Sequence, residues 1–502
     1  MNIALVNETQ NLISEGHSMS KTARSFEEFY EEKFEQIIIG SRKKRYFYNL
    51  KDRILTKKIQ KDQRILDIGC GTGDLLSKLK PSFGVGVDLS AKMIKYAEEI
   101  NGSANIKFLC GDIFSKQIQS QILADADQKF DVILLSGTVG QIHDVIALFK
   151  VLHQFSHSRT RIYVLTYSML WQPLYKLADL LKIRIKPPTE NWLPPEELKQ
   201  MFYHADLQLI NLTTHILFPF KIPVVSRFLN DVLAHLPFFE WLCMTNCFTL
   251  RPIGEKYNHL IKKNPTCSIV IPCRNEAGHI YEIIERLPDL GPGSEYIFVE
   301  GNSTDNTEEV IKKAIEEYSN KPFKFFKQSG VGKGDAVRCG FENSNGDILG
   351  ILDADITVPP EDLTSFINVL IENKAEFVNG SRLVYPMEKN AMRFLNLLAN
   401  KFFAFAFTYI LGQPIRDTLC GTKVLWKVDY KNLIKNRSYF GDFDPFGDFD
   451  LIFGATKLNL KIIDLPVRYG ERVYGETNIS RFRHGLLLLR MTLFAYRKIK
   501  ML

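Results

Sequence analysis

The rhythm of hydrophobic positions changes several times along the chain. Residues 20–60 read as polar helix, and from 64 to 164 short β-branched runs alternate with helical windows, which predicts a parallel sheet covered by helices. A second βα alternation begins at 267. Between the two lies a polar stretch, Arg251 to Thr266, with mixed charge and with Pro252, Gly254 and Pro265, the composition of an interdomain linker. The expected organisation is two different α/β domains, 1–254 and 267–502, joined by a linker at 255–266. The halves share no sequence period, which argues against a duplication.

Composition changes this picture little. With 45% hydrophobic and 24% charged residues among 502, the chain matches an ordinary folded protein and has enough length for two cores. Eight scattered cysteines, several within apolar runs, read as small hydrophobes and predict reduced thiols in a cytoplasmic setting. Cys243 and Cys247 have neither a second cysteine pair nor nearby histidines, so zinc is not expected there. The most apolar windows are 394–412, broken by Asn396, Asn400 and Lys401, and 485–496, broken by Arg490; both fall short of a membrane span. The last 42 residues carry nine Lys/Arg against three Asp/Glu among Leu, Phe and Tyr, which suits the cytoplasmic face of an anionic membrane, with a solvated charged helix as the plainer alternative. No nucleic-acid recognition motif accompanies the charge.

In the first half, Arg64-Ile65-Leu66-Asp67-Ile68-Gly69-Cys70-Gly71-Thr72-Gly73-Asp74 reads as a strand ending in a glycine-rich turn before a helical window at 74–80. Glycines let a ligand approach the backbone, and a helix start offers it free N–H groups. The next strand ends in Asp88, 21 residues after Asp67, where a carboxylate reaches ribose hydroxyls. The spacing of Asp67, Gly69, Gly71 and Gly73 departs from GxGxxG and resembles motif I of the class I S-adenosylmethionine (SAM)-dependent methyltransferases. That likeness runs over about 25–250. It implies that Asp112, in Gly111-Asp112-Ile113, contacts adenine, and that Phe130–Leu134 is the fourth strand. His143 is the candidate base behind that strand, with a helix-start histidine of no catalytic role as the alternative. Phe29 and Tyr30 receive no role, and the apolar segment 212–250 is read as core or as the wall of an acceptor cleft.

In the second half, Cys267 to Pro272 reads as an apolar strand broken at Pro272 and followed by Arg274-Asn275-Glu276. This resembles the opening of the inverting GT-A glycosyltransferases, the group that includes cellulose and hyaluronan synthases and the dolichyl-phosphate mannose and glucose synthases; the likeness covers roughly 265–485. The second strand of that group ends in Asp-Asp-Gly-Ser-x-Asp, and here the run is Glu300-Gly301-Asn302-Ser303-Thr304-Asp305. Glu300 keeps the carboxylate that the resemblance assigns to the nucleotide base, while Gly301 replaces the second acid. Gly346 to Asp355 is a strand ending in Asp353-Ala354-Asp355, and strand alternation would point both acids at one Mg²⁺ or Mn²⁺ that neutralises a nucleotide diphosphate.

Further motifs follow by resemblance. Lys333, in Gly330-Val331-Gly332-Lys333-Gly334, falls on the family's flexible loop near the nucleotide and lacks the ending of a P-loop. Arg382 and the Arg416–Lys423 run look like the acceptor side of the dolichyl-phosphate glucose synthase branch. Arg472 matches that branch's phosphate-binding arginine, although Asn478 stands where a lysine is usual. Asp448, in Phe446-Gly447-Asp448-Phe449-Asp450-Leu451, aligns with the catalytic base of relatives that glycosylate hydroxyls; Asp450 is the second candidate and a helix cap the structural alternative.

The sequence therefore predicts a bifunctional transferase. One half would move a sugar with inversion from a UDP- or GDP-sugar, bound by Pro272, Asn275, Glu276, Glu300, Ser303, Asp305, Lys333, Asp353, Arg382 and Arg472, to a polyprenyl phosphate or glycan at a membrane surface. The other would methylate a related cell-envelope product with SAM. The alternative is a glycosyltransferase whose first domain serves as a SAM-binding scaffold.

Overall fold

A computed structural model describes residues 21–126, 128–258, 264–384, 394–435, 448–470 and 481–501. The chain divides into two compact units at Pro252/Ile253. A short helix, Glu255–Asn258, opens the segment read as linker.

The first unit holds one seven-stranded sheet: β1 (Arg64–Ile68), β2 (Phe83–Asp88), β3 (Ile106–Cys110), β4 (Phe130–Ser136), β5 (Ser156–Tyr167), β6 (Leu207–His215) and β7 (Thr245–Pro252). Their order is β3-β2-β1-β4-β5-β7-β6, with β7 antiparallel to both neighbours. Alternation along the central strands explains why they read as unbroken apolar runs. Ile65, Val132, Leu134, Tyr163 and Leu165 face the helices Arg45–Lys58, Asp74–Leu79 and Ala91–Asn101, through Leu50, Ile54, Leu76 and Ala97. Leu66, Ile68, Ile133, Leu135, Ile162 and Val164 face the opposite layer, through Ile122, Leu148, Phe149 and Phe202.

The second unit repeats the layering around another seven-stranded sheet: β8 (Cys267–Cys273), β9 (Glu295–Glu300), β10 (Phe323–Lys327), β11 (Ile348–Ile351), β12 (Phe377–Ser381), β13 (Lys423–Trp426) and β14 (Ile462–Pro466). The order is β10-β9-β8-β11-β13-β12-β14, with β13 antiparallel. Val270, Val299, Leu349, Ile351 and Leu425 line one face against Val337, Phe341, Phe407, Phe449 and Phe453; Ile269, Ile271, Phe298, Ile348 and Val424 line the other against Ile283, Ile284, Ile311 and Phe366.

Two strand expectations are corrected. β8 runs past Pro272 to Cys273. The Val270 carbonyl accepts from Leu352 and that of Cys273 from Gly301, so Pro272 faces the side where β11 pairing has already ended and no ladder donor is missed. β11, by contrast, stops at Ile351, so Asp353 and Asp355 lie in the following turn and strand alternation does not orient them.

Candidate active sites

In the first unit the glycine turn sits at the carboxyl end of β1, beside the point where the strand order reverses. Gly69, Gly71 and Gly73 all have positive φ, at 76°, 53° and 74°. Space separates their roles. A Cβ on Gly69 would strike Thr138 and one on Gly73 the Phe108 ring, whereas at Gly71 nothing lies within 4 Å. Gly71 is thus the open position of the turn. Its N–H donates to Asp88 Oδ2 at 2.9 Å, and the Ser90 N–H donates to Oδ1 at 3.1 Å, which aims the Asp88 carboxylate at the turn.

Asp67 is buried and its Oδ1 has no hydrogen-bond partner. Burial, with Asp88 and Asp52 adding to it, pushes the Asp67 carboxyl up to about 7, against the pull of Lys51. Asp112 follows β3, its Oδ1 accepting from the Phe114 N–H at 3.0 Å, and burial raises its carboxyl as well. His143 is exposed, in the bend before the helix Val145–Phe155, whose cap is the neighbouring Asp144.

The helix Lys21–Lys43 supplies what the sequence did not reveal. Glu31 Oε1 accepts from Ser90 Oγ at 2.7 Å and from the Lys92 N–H at 2.9 Å, which clamps the helix beside Asp88. One residue earlier, Tyr30 donates its hydroxyl to Gln141 in the loop after β4. Of the 212–250 segment, β7 is buried core, while Phe220, Val224, Phe228, Phe238 and Trp241 are exposed.

In the second unit the motif segments are tied together by hydrogen bonds. Asn275, in the left-handed region at φ 58°, donates its N–H to Ser303 Oγ at 3.0 Å, and its Oδ1 accepts from the Thr304 N–H at 2.7 Å. The Glu276 N–H donates to Thr307 Oγ1 at 2.9 Å, and the Glu276 carboxylate pairs with His279 at 2.8 Å. Asp305 Oδ1 accepts from the Thr307 N–H at 3.0 Å. Glu300 ends β9 almost fully buried. Its Oε1 accepts from the Ser303 N–H, while Oε2 has no hydrogen-bond partner, with Lys327 Nζ at 3.6 Å.

The next two segments meet at a charge pair. Lys333 Nζ lies 2.5 Å from Asp353 Oδ1. Gly421 packs on this pair so closely that a Cβ would fall 2.1 Å from both Asp353 Oδ2 and Lys333 Nζ. Asp355 Oδ1 accepts from Thr357 Oγ1 at 2.7 Å, and so braces the turn. Among the described residues no three His, Cys, Asp or Glu side chains converge.

Arg382 holds Asp417 in a two-pronged bond, Nε to Oδ2 at 2.7 Å and Nη2 to Oδ1 at 2.9 Å, with the Arg382 N–H on Oδ2 at 3.0 Å. Asn400 Nδ2 and the Leu419 N–H complete the shell. Burial would raise the Asp417 carboxyl, but the guanidinium and amides outweigh it and hold the group at about 2. The guanidinium, read from sequence as a donor contact, is thus turned onto Asp417, and the pair fixes the 416–423 loop beside Gly421. Asp448 opens the helix Asp448–Lys457, with Asp450 partly buried on it. Arg472 and Asn478 lie outside the described residues.

Each unit is matched by a family of known proteins. A model described as methyltransferase domain matches residues 59–207, and one described as glycosyl transferase family 2 matches 268–433. This chain carries a methyltransferase domain and a family 2 glycosyl transferase domain. A glycosyltransferase named AglJ from Haloferax volcanii is 29% identical over 234 residues, 46% of this chain and 71% of its own length. A dolichol-phosphate mannosyltransferase from Pyrococcus furiosus is 26% identical over 42% of this chain and 59% of its own. An undecaprenyl-phosphate 4-deoxy-4-formamido-L-arabinose transferase from Salmonella paratyphi B is 24% identical over 43% and 63%. The match thus spans less than two thirds of the latter two relatives. A solved glucosyl-3-phosphoglycerate synthase from Mycobacterium tuberculosis, with Mn²⁺ and UDP, is 19% identical, with a TM-score of 0.36 over 50% of this chain and 86% of that one.

The buried ion pair of the glycosyl transferase domain gives a direct test. Asp417→Asn leaves Arg382 buried without its counter-charge and is expected to cost about 3–5 kcal/mol in urea unfolding at neutral pH. Because the folded-state carboxyl lies below its unfolded value, the pair's contribution is present above about pH 4 and is lost as pH falls toward 2, so the gap between wild type and variant narrows with acidification.

Proposed function

We propose that the glycosyl transferase domain moves a sugar from a nucleoside-diphosphate donor to a polyprenyl phosphate, and that the methyltransferase domain methylates a product of the same kind. The observation that carries the first part is the meeting of Lys333, Asp353 and Gly421 at one point, with the buried Glu300 at the end of β9, whose Oε2 makes no hydrogen bond and has Lys327 Nζ at 3.6 Å. An acceptor oxygen held at the end of a strand suits an N–H of a nucleotide base. An ammonium and a carboxylate packed on a glycine suit a diphosphate with a divalent cation. Asp353 and Asp355 would hold that cation, two carboxylates being enough where phosphate oxygens and water complete the shell. A bound Mg²⁺ or Mn²⁺ would neutralise the leaving diphosphate. Lys333 would carry part of the same charge. A polyprenyl phosphate is already anionic and needs no base, whereas a glycan hydroxyl acceptor would call on Asp448, or Asp450, to take its proton from the face opposite the nucleotide, with inversion.

Support for a membrane-borne acceptor comes from two packed helices, Phe394–Leu411 and Arg481–Ala495. Their inner faces bury Phe403, Phe407, Ile410, Leu488 and Met491. Their outer faces expose Leu398, Phe402, Phe405, Leu486, Leu489 and Leu493, the most open being Phe405 at 70%, with Lys401 and Arg490 beside them. Among the described residues no helix is long and apolar enough to cross a membrane. An apolar face with basic neighbours fits the surface of an anionic leaflet.

In the first unit, the turn open at Gly71 and the carboxylates of Asp67 and Asp88 fit a cationic nucleoside. Asp88 would take the ribose hydroxyls, Asp112 the adenine, and the orphaned Asp67 Oδ1 the amino-acid end of SAM. SAM bound there would supply an activated methyl group.

Three measurements test these assignments. Asp353→Ala is expected to abolish Mn²⁺- or Mg²⁺-dependent sugar transfer to polyprenyl phosphate across a UDP- and GDP-sugar panel; metal-independent turnover retained in the variant would remove the donor-site assignment. SAM affinity should rise several-fold between pH 6 and 7.5 as Asp67 ionises, a rise that calorimetry should not find in Asp67→Asn. Phe402→Ser with Phe405→Ser should release the protein from sedimenting phosphatidylglycerol vesicles while leaving SAM binding intact.

A further inference from the structure

The carboxyl end of the methyltransferase sheet holds a cation that binding of SAM does not explain. Phe47, Leu50, Ile54 and Leu55 form the buried stripe of the helix Arg45–Lys58, and Lys51 falls on that stripe, 8% exposed. An unpaired ammonium at such a place is costly, and a leucine would be expected. Among the described residues Lys51 Nζ makes no hydrogen bond. It stands 5.8 Å from the ring centres of both Tyr48 and Tyr167. It also sits beside Gly137, the first residue after β4, where a Cβ would lie 3.6 Å from Nζ. Lys51 therefore projects to the strand ends next to Asp67, not into the core.

An aromatic wall continues from it. Tyr167 at the end of β5 lies 5.6 Å from Tyr175 and 6.5 Å from Trp192, and Tyr175 lies 5.2 Å from Trp192. Asn191 ties this wall across the loop after β4, its N–H donating to the Gly140 carbonyl at 2.6 Å and its Nδ2 to that of Ile142 at 2.7 Å. Arg184, 4.7 Å from the Tyr175 ring, is neutralised by both Asp179 and Glu190. The wall thus offers flat faces and phenolic hydroxyls, with Lys51 the cation that lacks a carboxylate bond.

We propose that Lys51, Tyr48, Tyr167, Tyr175 and Trp192 form the methyl-acceptor site, that the acceptor is a sugar ring, and that Lys51 takes the proton of the hydroxyl being methylated. The proposal rests on the methyltransferase reading above. Sugar rings lay their C–H faces on aromatic side chains, and phenols donate to or accept from the remaining hydroxyls. A neutral hydroxyl, unlike a carboxylate or phosphate, must lose a proton as it takes the methyl group. The new carbon–oxygen bond forms as the carbon–sulfur bond of SAM breaks, and the proton passes to the neutral Lys51 amine. Burial lowers the Lys51 ammonium from its ordinary value, opposed by Tyr48 and Asp52 on its own helix and Asp67 on β1, with the Tyr167 ring facing it from β5. The base form is therefore reached at lower pH than in an exposed lysine, and the rate would rise with pH.

The full chain tests this with p-nitrophenyl glycosides as acceptor probes. In protein loaded with S-adenosylhomocysteine, competitive acetic anhydride labelling read by mass spectrometry is expected to modify Lys51 at lower pH than the exposed Lys176, and bound glycoside should protect it. Lys51→Met should lower methyl transfer about 10²–10⁴-fold while SAM affinity by calorimetry is unchanged. The idea is overturned by full transfer in that variant, by a rate that falls as pH rises, or by SAM affinity lost in step with turnover, which would assign Lys51 to the cofactor. Labelling of Lys51 that no glycoside alters in SAM-competent protein overturns the acceptor class. Wild-type protein that binds no SAM defeats the underlying reading instead, a result the calorimetry separates from the rest.

Discussion

β1 lies between β2 and β4, and β8 between β9 and β11, so each sheet reverses its winding beside its first strand. Parallel strands all end on the same side, and at the reversal the loops after two neighbouring strands turn away from each other and leave a crevice. Everything chemical in this chain hangs on that constraint. Gly69–Gly73 follow β1 and Gly137 follows β4; Asn275 follows β8 and Asp353 follows β11. The apolar strands beneath are buried on both faces, so they act as fixed anchors from which short loops project.

Beside those loops, strands and a helix hold polar atoms without full compensation. Asp67 Oδ1, Glu300 Oε2 and Lys51 Nζ are held where each lacks a hydrogen bond among the described residues, and the well-paired groups around them serve to hold the loops. Arg382 with Asp417 is the clearest case. That pair satisfies itself completely and thereby sets the backbone of 416–423, including Gly421 against Asp353. At the strand ends, a ligand would supply the partner that Asp67 Oδ1 and Glu300 Oε2 lack.

Legibility in the sequence followed the range of the interactions involved. The sheet strands and the glycine turn were readable because burial on two faces and positive φ act on adjacent residues. Asp353 and Asp355 read as the end of a strand whose alternation orients them, whereas they lie in the turn beyond it, since only the ladder partners decide that β11 stops at Ile351. Arg382 carried a motif signal and no hint of Asp417, 35 residues on. Tyr30 was given no role, and Glu31, Lys51 and Trp192 were silent, because each is placed by tertiary packing. For Lys51 a signal was available: one lysine on an otherwise apolar helical stripe breaks the pattern that buries Leu50 and Ile54.

Charge explains why two similar crevices need different side chains. A sulfonium donor is a cation, and the first crevice would meet it with the acids Asp67 and Asp88, which burial raises. A nucleoside diphosphate is an anion, and acids alone would repel it. The second crevice sets Lys333 against Asp353, an arrangement in which one member of the pair would face phosphate and the other a cation. Each arrangement would disfavour the other's donor by sign. The same logic places Lys51 beyond Asp67, since a neutral amine next to a bound sulfonium accepts a proton from the acceptor hydroxyl at the moment the positive charge on sulfur disappears, and the local sum of charge stays constant.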